Sequence, residues 1–219
     1  MSVSRILYDH PMSGNCQKVH ILLRHLGLSY ETCAVDLEGG AARTEAFLAL
    51  NPLGQVPVLD DDSTLVCDSQ AILVYLATKH GSDLIDTSPE GMAEIQRWLS
   101  FAAREVSLGP QMTRLYHLTG RAEIDIGTSE AISHNVLDHL EVHLTSRDWL
   151  CLNRPTVADI AVFPYIALAR DGHLPLEDCP AILAWLSRIR DLPGYQPLTL
   201  YPRYAEKIAH LDGAYRLAE

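Results

Sequence analysis

The first third of the chain alternates short apolar runs with helical periodicities. Residues 4–8 (Ser-Arg-Ile-Leu-Tyr) read as a strand ending at the Asp9-His10-Pro11 turn. Val19, Leu22, Leu23 and Leu26 then follow the i, i+3, i+4, i+7 spacing of an amphipathic helix, which Gly27 closes. Residues 29–35 read as a second strand and Glu45 to Leu50 as a short helix. Val56–Leu59 and Thr64–Val66 form a tight hairpin across Asp60-Asp61-Asp62, and a helix runs from Ser69 to about Lys79. The order β-α-β-α-β-β-α, with a parallel first pair and an antiparallel last pair, is a mixed sheet flanked by helices.

Beyond residue 80 the strand signal stops. Residues 80–88 read as a linker, with Ser88 as N-cap and Pro89 in the first helical position. Ile95, Trp98, Leu99, Ala102 and Val106 mark a long helix reaching Leu118, and Ile132, Val136, Leu140 and Leu144 mark another. Thr156-Val157-Ala158-Asp159 is a capping box with Asp in the third helical position, opening a helix apolar enough to be central and buried. Asp159 is therefore read as a folding determinant and not as a catalytic acid. Pro180 opens a further helix, stopped at Leu192-Pro193-Gly194, and the tail from Tyr201 is more polar.

Composition narrows the classes. The 219 residues and 47% hydrophobic content suit one large or two small domains with an ample core. No apolar run approaches the roughly 20 residues of a membrane-spanning helix, and the N-terminus does not read as a signal peptide. The five cysteines are scattered, which argues against a disulfide framework or structural zinc and for a reducing, cytoplasmic compartment. A net charge of −11 without a basic cluster argues against nucleic-acid binding. The ten histidines lie singly, apart from His139 and His143, whose i, i+4 spacing is read as a solvated or dimer-edge pair in preference to a metal site.

Residues 51–69 carry the most pointed chemistry. Val56-Pro57 sits between the turn signal Asn51-Pro52, Gly54 and a short strand, a place where a cis peptide can be held. Such a bond leaves the Val56 N–H and C=O free to pair with an extended, peptide-like ligand. Ten residues on, Asp68-Ser69 precedes a helix; Ser69 is the predicted N-cap, and the N–H groups behind it form a site for a carboxylate. A backbone clamp beside an anion pocket suits a small acidic peptide.

Four segments, Ser13-Gly14-Asn15-Cys16-Gln17-Lys18-Val19, Phe47 to Leu59, Asp68-Ser69-Gln70-Ala71-Ile72 and Arg154 to Asp159, occur in an order that resembles the cytosolic glutathione transferases over essentially the whole chain, in particular bacterial serine/asparagine-type, theta/nu-like members. The resemblance implies a thioredoxin-like, glutathione-binding domain over residues 1–79, a linker over 80–88, and an all-α domain over 89–219 that supplies the electrophile site. It implies a homodimer, glutathione as co-substrate, no metal, and attack of the glutathione thiolate on a small electrophile, as in detoxification. Glutathione-dependent disulfide or peroxide reduction and a non-catalytic binding module are the alternatives.

The reaction needs a thiolate, whereas a free thiol has a pKa of about 8.5. A donor aimed at the sulfur, together with a helix N-terminus, favours the anion. The resemblance assigns that donor to Ser13, with Asn15 able to supply a second hydrogen bond. Tyr8 and Cys16 are the competitors in the same segment; Tyr8 ends a strand, and Cys16 would imply mixed-disulfide chemistry. For the rest of glutathione the resemblance implies Val56 for the cysteinyl backbone, Asp68 for the γ-glutamyl ammonium, Ser69 for its carboxylate, and Gln55 and Arg43 near the glycine end. Arg104 and Arg114 are candidates for the electrophile site, with a solvated or interhelical role as the plainer reading.

Overall fold

The computed structural model describes residues 5–81, 83–200 and 215–217. Strand β1 (Arg5–Asp9) leads through a short loop into helix α1 (Gly14–His25), followed by β2 (Glu31–Ala34), a 3₁₀ turn (Ala41–Arg43), α2 (Glu45–Leu50), the hairpin β3 (Val58–Asp61) and β4 (Thr64–Cys67), and α3 (Ser69–Lys79). The sheet order is β2-β1-β3-β4. β1 runs parallel to β2 and antiparallel to β3, and Leu7 of β1 stands opposite Leu59. Both are fully buried on the face that α1 and α3 cover.

Local chemistry sets the ends of α1. Ser13 caps its start, accepting from the Cys16 N–H. At the other end Gly27 adopts φ 64°, the Gly27 N–H donates to Arg24 and the Leu28 N–H to Leu23, a Schellman stop. The hairpin differs from the expectation in one respect. Its turn falls on Asp62 and Ser63, both at positive φ, while Asp61 stays in β3, fully buried against Arg5 (2.8 Å) and Lys79 (2.7 Å).

The remaining helices are α4 (Pro89–Phe101), α5 (Met112–Thr119), α6 (Ile126–Leu144), α7 (Val157–Ala167) and α8 (Pro180–Arg190). Between α4 and α5, residues Ala102–Gln111 form a wide π-helical segment where a continuous α-helix was expected. Pro110 has no N–H to give and its ring crowds the carbonyl four residues back, so the backbone widens there. Gly109 permits close contact with α6: a Cβ there would lie 2.9 Å from the Ser133 nitrogen. A small parallel pair, β5 (Leu198–Leu200) with β6 (Tyr215–Leu217), accompanies the helices and has no counterpart in the sequence reading. The polar tail from Tyr201 otherwise lies outside the described residues.

Helix α7 organises the interior. Every residue from Val157 to Ile166 is buried, as an all-round apolar helix requires. Its capping box is present, and one continuous core joins Ile160, Phe163 and Ile166 of α7 to Val19 and Leu23 of α1 and Ile72 and Leu76 of α3. The start of α1 is therefore supported from below by α7.

Candidate functional site

The loop from Asp9 to Cys16 is fixed at both ends. The Ser13 N–H donates to the His10 carbonyl at 2.8 Å, and the Ser13 Oγ accepts from the Cys16 N–H at 3.3 Å. Ser13 is half-buried, and capping uses its oxygen as acceptor, which leaves its proton available. From the helical side, buried Arg114 donates to the Met12 carbonyl at 3.1 Å while its Nε donates to Asp171 at 2.7 Å. Arg114 is thus an interhelical group that grips this loop.

The two competitors for thiol chemistry are placed differently. Tyr8 points its ring at Phe47, edge to face with centroids 6.2 Å apart. Cys16 is 1% exposed, and burial together with the Asp9 carboxylate pushes its thiol well above the ordinary range. A thiol in that state is neither a nucleophile nor a ready partner for disulfide exchange. Burial raises the Asp9 carboxyl, but the hydrogen bond and charge of His20, 2.9 Å away, together with Cys16 and His10, outweigh it and hold Asp9 below its usual value.

Asn15 links this loop to the second half of the site. Its Oδ1 accepts from the Ser69 hydroxyl at 3.4 Å, so the start of α1 and the start of α3 meet. The structure corrects the expected cap of α3. Asp68, at φ 74°, is the N-cap, its Oδ1 accepting from the Gln70 and Ala71 N–H groups at 2.8 and 3.2 Å, and Ser69 is the first helical residue. Asp68 is exposed with its second oxygen uncommitted to the cap, whereas Ser69 is buried with its hydroxyl also on Gln70.

The clamp residues lie in one loop. Val56-Pro57 is cis, and among the described residues no hydrogen bond engages the Val56 N–H or C=O. Buried Asn51 pins the loop, donating to the Gln55 carbonyl at 2.8 Å and accepting from the Leu53 N–H at 3.1 Å. Arg43 donates to the Leu53 carbonyl at 3.2 Å and so flanks exposed Gln55. Gly54 is required at this crossing: it has φ 62°, and a Cβ would stand 2.7 Å from the Ala42 oxygen and 2.8 Å from the Arg43 guanidinium.

Other candidates lie elsewhere. Arg104 is exposed, pairs with Glu105 at 2.7 Å, and borders a shallow groove of about 280 Å³ with Trp98, Phe101 and His139. His139 and His143 stack with each other and pack on Trp98, His139 tilted and His143 edge-on, and His143 Nε2 lies 2.8 Å from the Leu150 carbonyl. Among the described residues no three metal-ligating side chains gather, and no helix is long and apolar enough to cross a membrane.

Two residues at the site escaped sequence reasoning. Tyr165 of α7 is buried against Gly14, and Lys18 of α1 is 1% exposed with its ammonium 5.7 Å from the centre of the Tyr165 ring. Burial lowers the Lys18 amine to about 7, although Asp68 and Cys16 pull it upward. A lysine one turn into an amphipathic helix reads as solvated, and only the crossing of α7 encloses it.

Comparison with known proteins converges on one family. The model "Glutathione S-transferase, N-terminal domain" matches residues 7–84, and "Glutathione S-transferase, C-terminal domain" matches residues 121–188. Glutathione S-transferase 3 of Zea mays is 33% identical over 205 residues, covering 87% of this chain and 90% of its own length. The crystal structure of a glutathione S-transferase from Pseudomonas fluorescens Pf-5 superposes with TM-score 0.83 at 33% identity, covering 88% of this chain and 98% of that one. A second glutathione transferase family member from the same strain, solved with two glutathione bound, superposes with TM-score 0.76 at 28% identity over 87% of this chain and 90% of its own.

Proposed function

This chain belongs to the glutathione S-transferase family, and we propose that it binds glutathione across the starts of α1 and α3 and transfers its thiolate to a small electrophile. The observation that carries this reading is the Asn15–Ser69 contact of 3.4 Å, because it sets a thiol-activating loop next to an anion pocket within the reach of one tripeptide. The Val56 backbone pairs with the cysteinyl residue, Ser69 and the α3 N–H groups take the γ-glutamyl carboxylate, and the free oxygen of Asp68 takes its ammonium. Gln55 and Arg43 serve the glycine end. Glutathione bound to the related Pseudomonas protein supports the same ligand here.

The chemistry asks little of the protein beyond position and charge. Ser13 donates its proton to the sulfur as a hydrogen bond, Asn15 supplies a second donor, and the positive end of the 12-residue α1 lies beneath. Each interaction is stronger with the thiolate than with the thiol, so the anion is populated at neutral pH, and the bound geometry presents it to the electrophile. The helices from residue 89 onward supply the electrophile pocket, and the protein acts as a cytoplasmic homodimer. Retention on immobilised glutathione, conjugation with an activated aryl chloride, and disulfide reduction assayed side by side test the proposal. Conjugation with retention is the expected result. Disulfide reduction without conjugation overturns the transfer reading, and absence of retention overturns the site.

A further inference from the structure

Lys18 stands one turn inside α1, on the helix face that also carries Gly14 and Asn15, and a long helical side chain leans back over the turn before it. The residue is 1% exposed, and its ammonium lies 5.7 Å from the centre of the Tyr165 ring. That ring in turn covers Gly14, the first residue of α1: a Cβ there would stand 2.9 Å from the ring carbon Cζ. The ammonium is thus held beside the first turn of α1, enclosed between α1 and α7. Among the described residues no hydrogen bond or salt bridge engages it.

This is a poor place for a cation. A buried ammonium without hydrogen bonds is strongly disfavoured, and the start of a helix adds the positive end of the macrodipole. Burial accordingly lowers the amine to about 7, and the charges of Asp68 and Cys16 only partly oppose it. The groups that face it offer little compensation. Burial keeps the Cys16 thiol and the Tyr165 phenol protonated, Arg114 of α5 beside the phenol is itself a cation, and Asp68 at the start of α3 is exposed to solvent. What the turn lacks is an anion, and the glutathione thiolate at Ser13 and Asn15 would bring one to it. We propose that Lys18 is the counter-charge of the bound thiolate, taking up a proton as the thiolate settles at the start of α1 and stabilising that anion as an ammonium. The protons balance: the thiol gives one to solvent, the amine takes one from solvent, and thiol plus amine becomes thiolate plus ammonium. Lys18 acts across the first turn by its charge and does not touch the substrate.

The inference rests on glutathione being bound as a thiolate, and the experiment separates the two. Calorimetry of glutathione binding in buffers of different ionisation heat counts the protons released, and ultraviolet absorbance counts the thiolate formed. S-methylglutathione, with the same ammonium and carboxylates but no ionisable thiol, corrects for every other group. If the thiolate raises the Lys18 pKa by about one from about 7, the amine takes up about 0.4 proton per site at pH 8. The corrected proton release in the wild type should fall short of the thiolate formed by that amount, and in Lys18→Met the shortfall should vanish. The same coupling predicts that Lys18→Met lowers the thiolate-to-thiol ratio of the complex about fivefold at pH 7 but only about twofold at pH 8, where the amine in the free protein is mostly neutral. A wild-type release equal to the thiolate formed overturns the proposal without recourse to a variant. So does a shortfall that persists in Lys18→Met, or a loss of thiolate that is the same at both pH values. Proton uptake on binding S-methylglutathione that disappears in Lys18→Met also overturns it, because Lys18 would then answer the carboxylates. If the wild type forms no thiolate at all, the proposal falls together with its premise, whereas thiolate formed with full proton release defeats the proposal alone.

Discussion

Removing the Asp159 carboxylate should cost far more than an ordinary helix cap. Its Oδ1 accepts from the Leu150 N–H at 3.0 Å and the Trp185 indole at 2.9 Å, and its Oδ2 from the Thr156 N–H at 2.9 Å and the Thr156 hydroxyl at 3.1 Å. A capping box alone predicts a loss of about 0.5–2 kcal/mol. Here Asp159→Ala leaves three N–H donors buried without a partner, since only the Thr156 hydroxyl can turn elsewhere. Each orphaned donor costs roughly 1–3 kcal/mol. Against this, the wild-type protein pays to bury the carboxylate, a penalty that pushes its pKa up to about 6. The net loss should be about 3–5 kcal/mol, a large share of the roughly 5–15 kcal/mol that holds a typical domain folded. Urea titration followed by far-ultraviolet circular dichroism, at about pH 8 where the carboxyl is ionised, measures it. Trp185→Phe, which removes a single donor, should cost only about 1 kcal/mol through this bond, plus its packing term. A loss below 1 kcal/mol for Asp159→Ala at unchanged m-value would refute the accounting. Normal stability with collapsed turnover would make Asp159 a catalytic group after all.

Three further outcomes follow from the site. Ser69→Ala should weaken glutathione binding by about ten- to a hundredfold by calorimetry with little change in melting, whereas Asp68→Ala should lower both, because Asp68 also caps α3; the converse pattern would exchange their roles. Cys16→Ser should leave conjugation nearly intact while Ser13→Ala lowers it; a glutathione adduct on Cys16 by mass spectrometry, with activity lost in the serine variant of Cys16, would contradict the raised thiol pKa. Lys18 is held at about 7 in the folded chain against 10.5 outside it, so between those values the unfolded chain binds the extra proton and stability from this group rises with pH, by at most about 1.4 kcal/mol per pH unit. Lys18→Met should therefore flatten the rise in stability between about pH 7 and 9 seen in urea titrations, and parallel curves for the two proteins would rule out a buried amine.

What could be read from the chain and what could not divide along a physical line. Strand alternation, the helical spacing around Val19 to Leu26 and the caps at Ser88 and Thr156 are local, and the structure shows them close to where the pattern puts them. The cap of α3 was misplaced by one residue because Asp and Ser are near-equal caps, and only the positive φ of Asp68 decides between them. Asp61 looked like a turn residue, since its partners Arg5 and Lys79 are distant in sequence. Arg114 was read more plainly as an interhelical arginine than as a cleft residue, and its bond to Asp171 agrees, but its grip on the Met12 carbonyl, 102 residues away in sequence, gave no local signal. Tyr165 gave no signal at all: α7 is apolar on every side, so periodicity does not show which residue faces α1.

The thiol loop is therefore a product of both halves of the chain. Its own bonds fix Ser13 as a cap, and the residues on either side of it are held from the helical half. Arg114 holds the Met12 carbonyl before Ser13, and Tyr165 closes over Gly14 after it. Tyr165 in turn stands where α7 places it, and α7 begins at the capping box that Asp159 ties to Leu150 and Trp185. Under the proposed function, the loop that activates the thiol thus rests in part on a carboxylate outside the glutathione site. A variant that frays the start of α7 without unfolding the chain should disturb the pH dependence of turnover and glutathione affinity together, because one continuous core joins α7 to both α1 and α3.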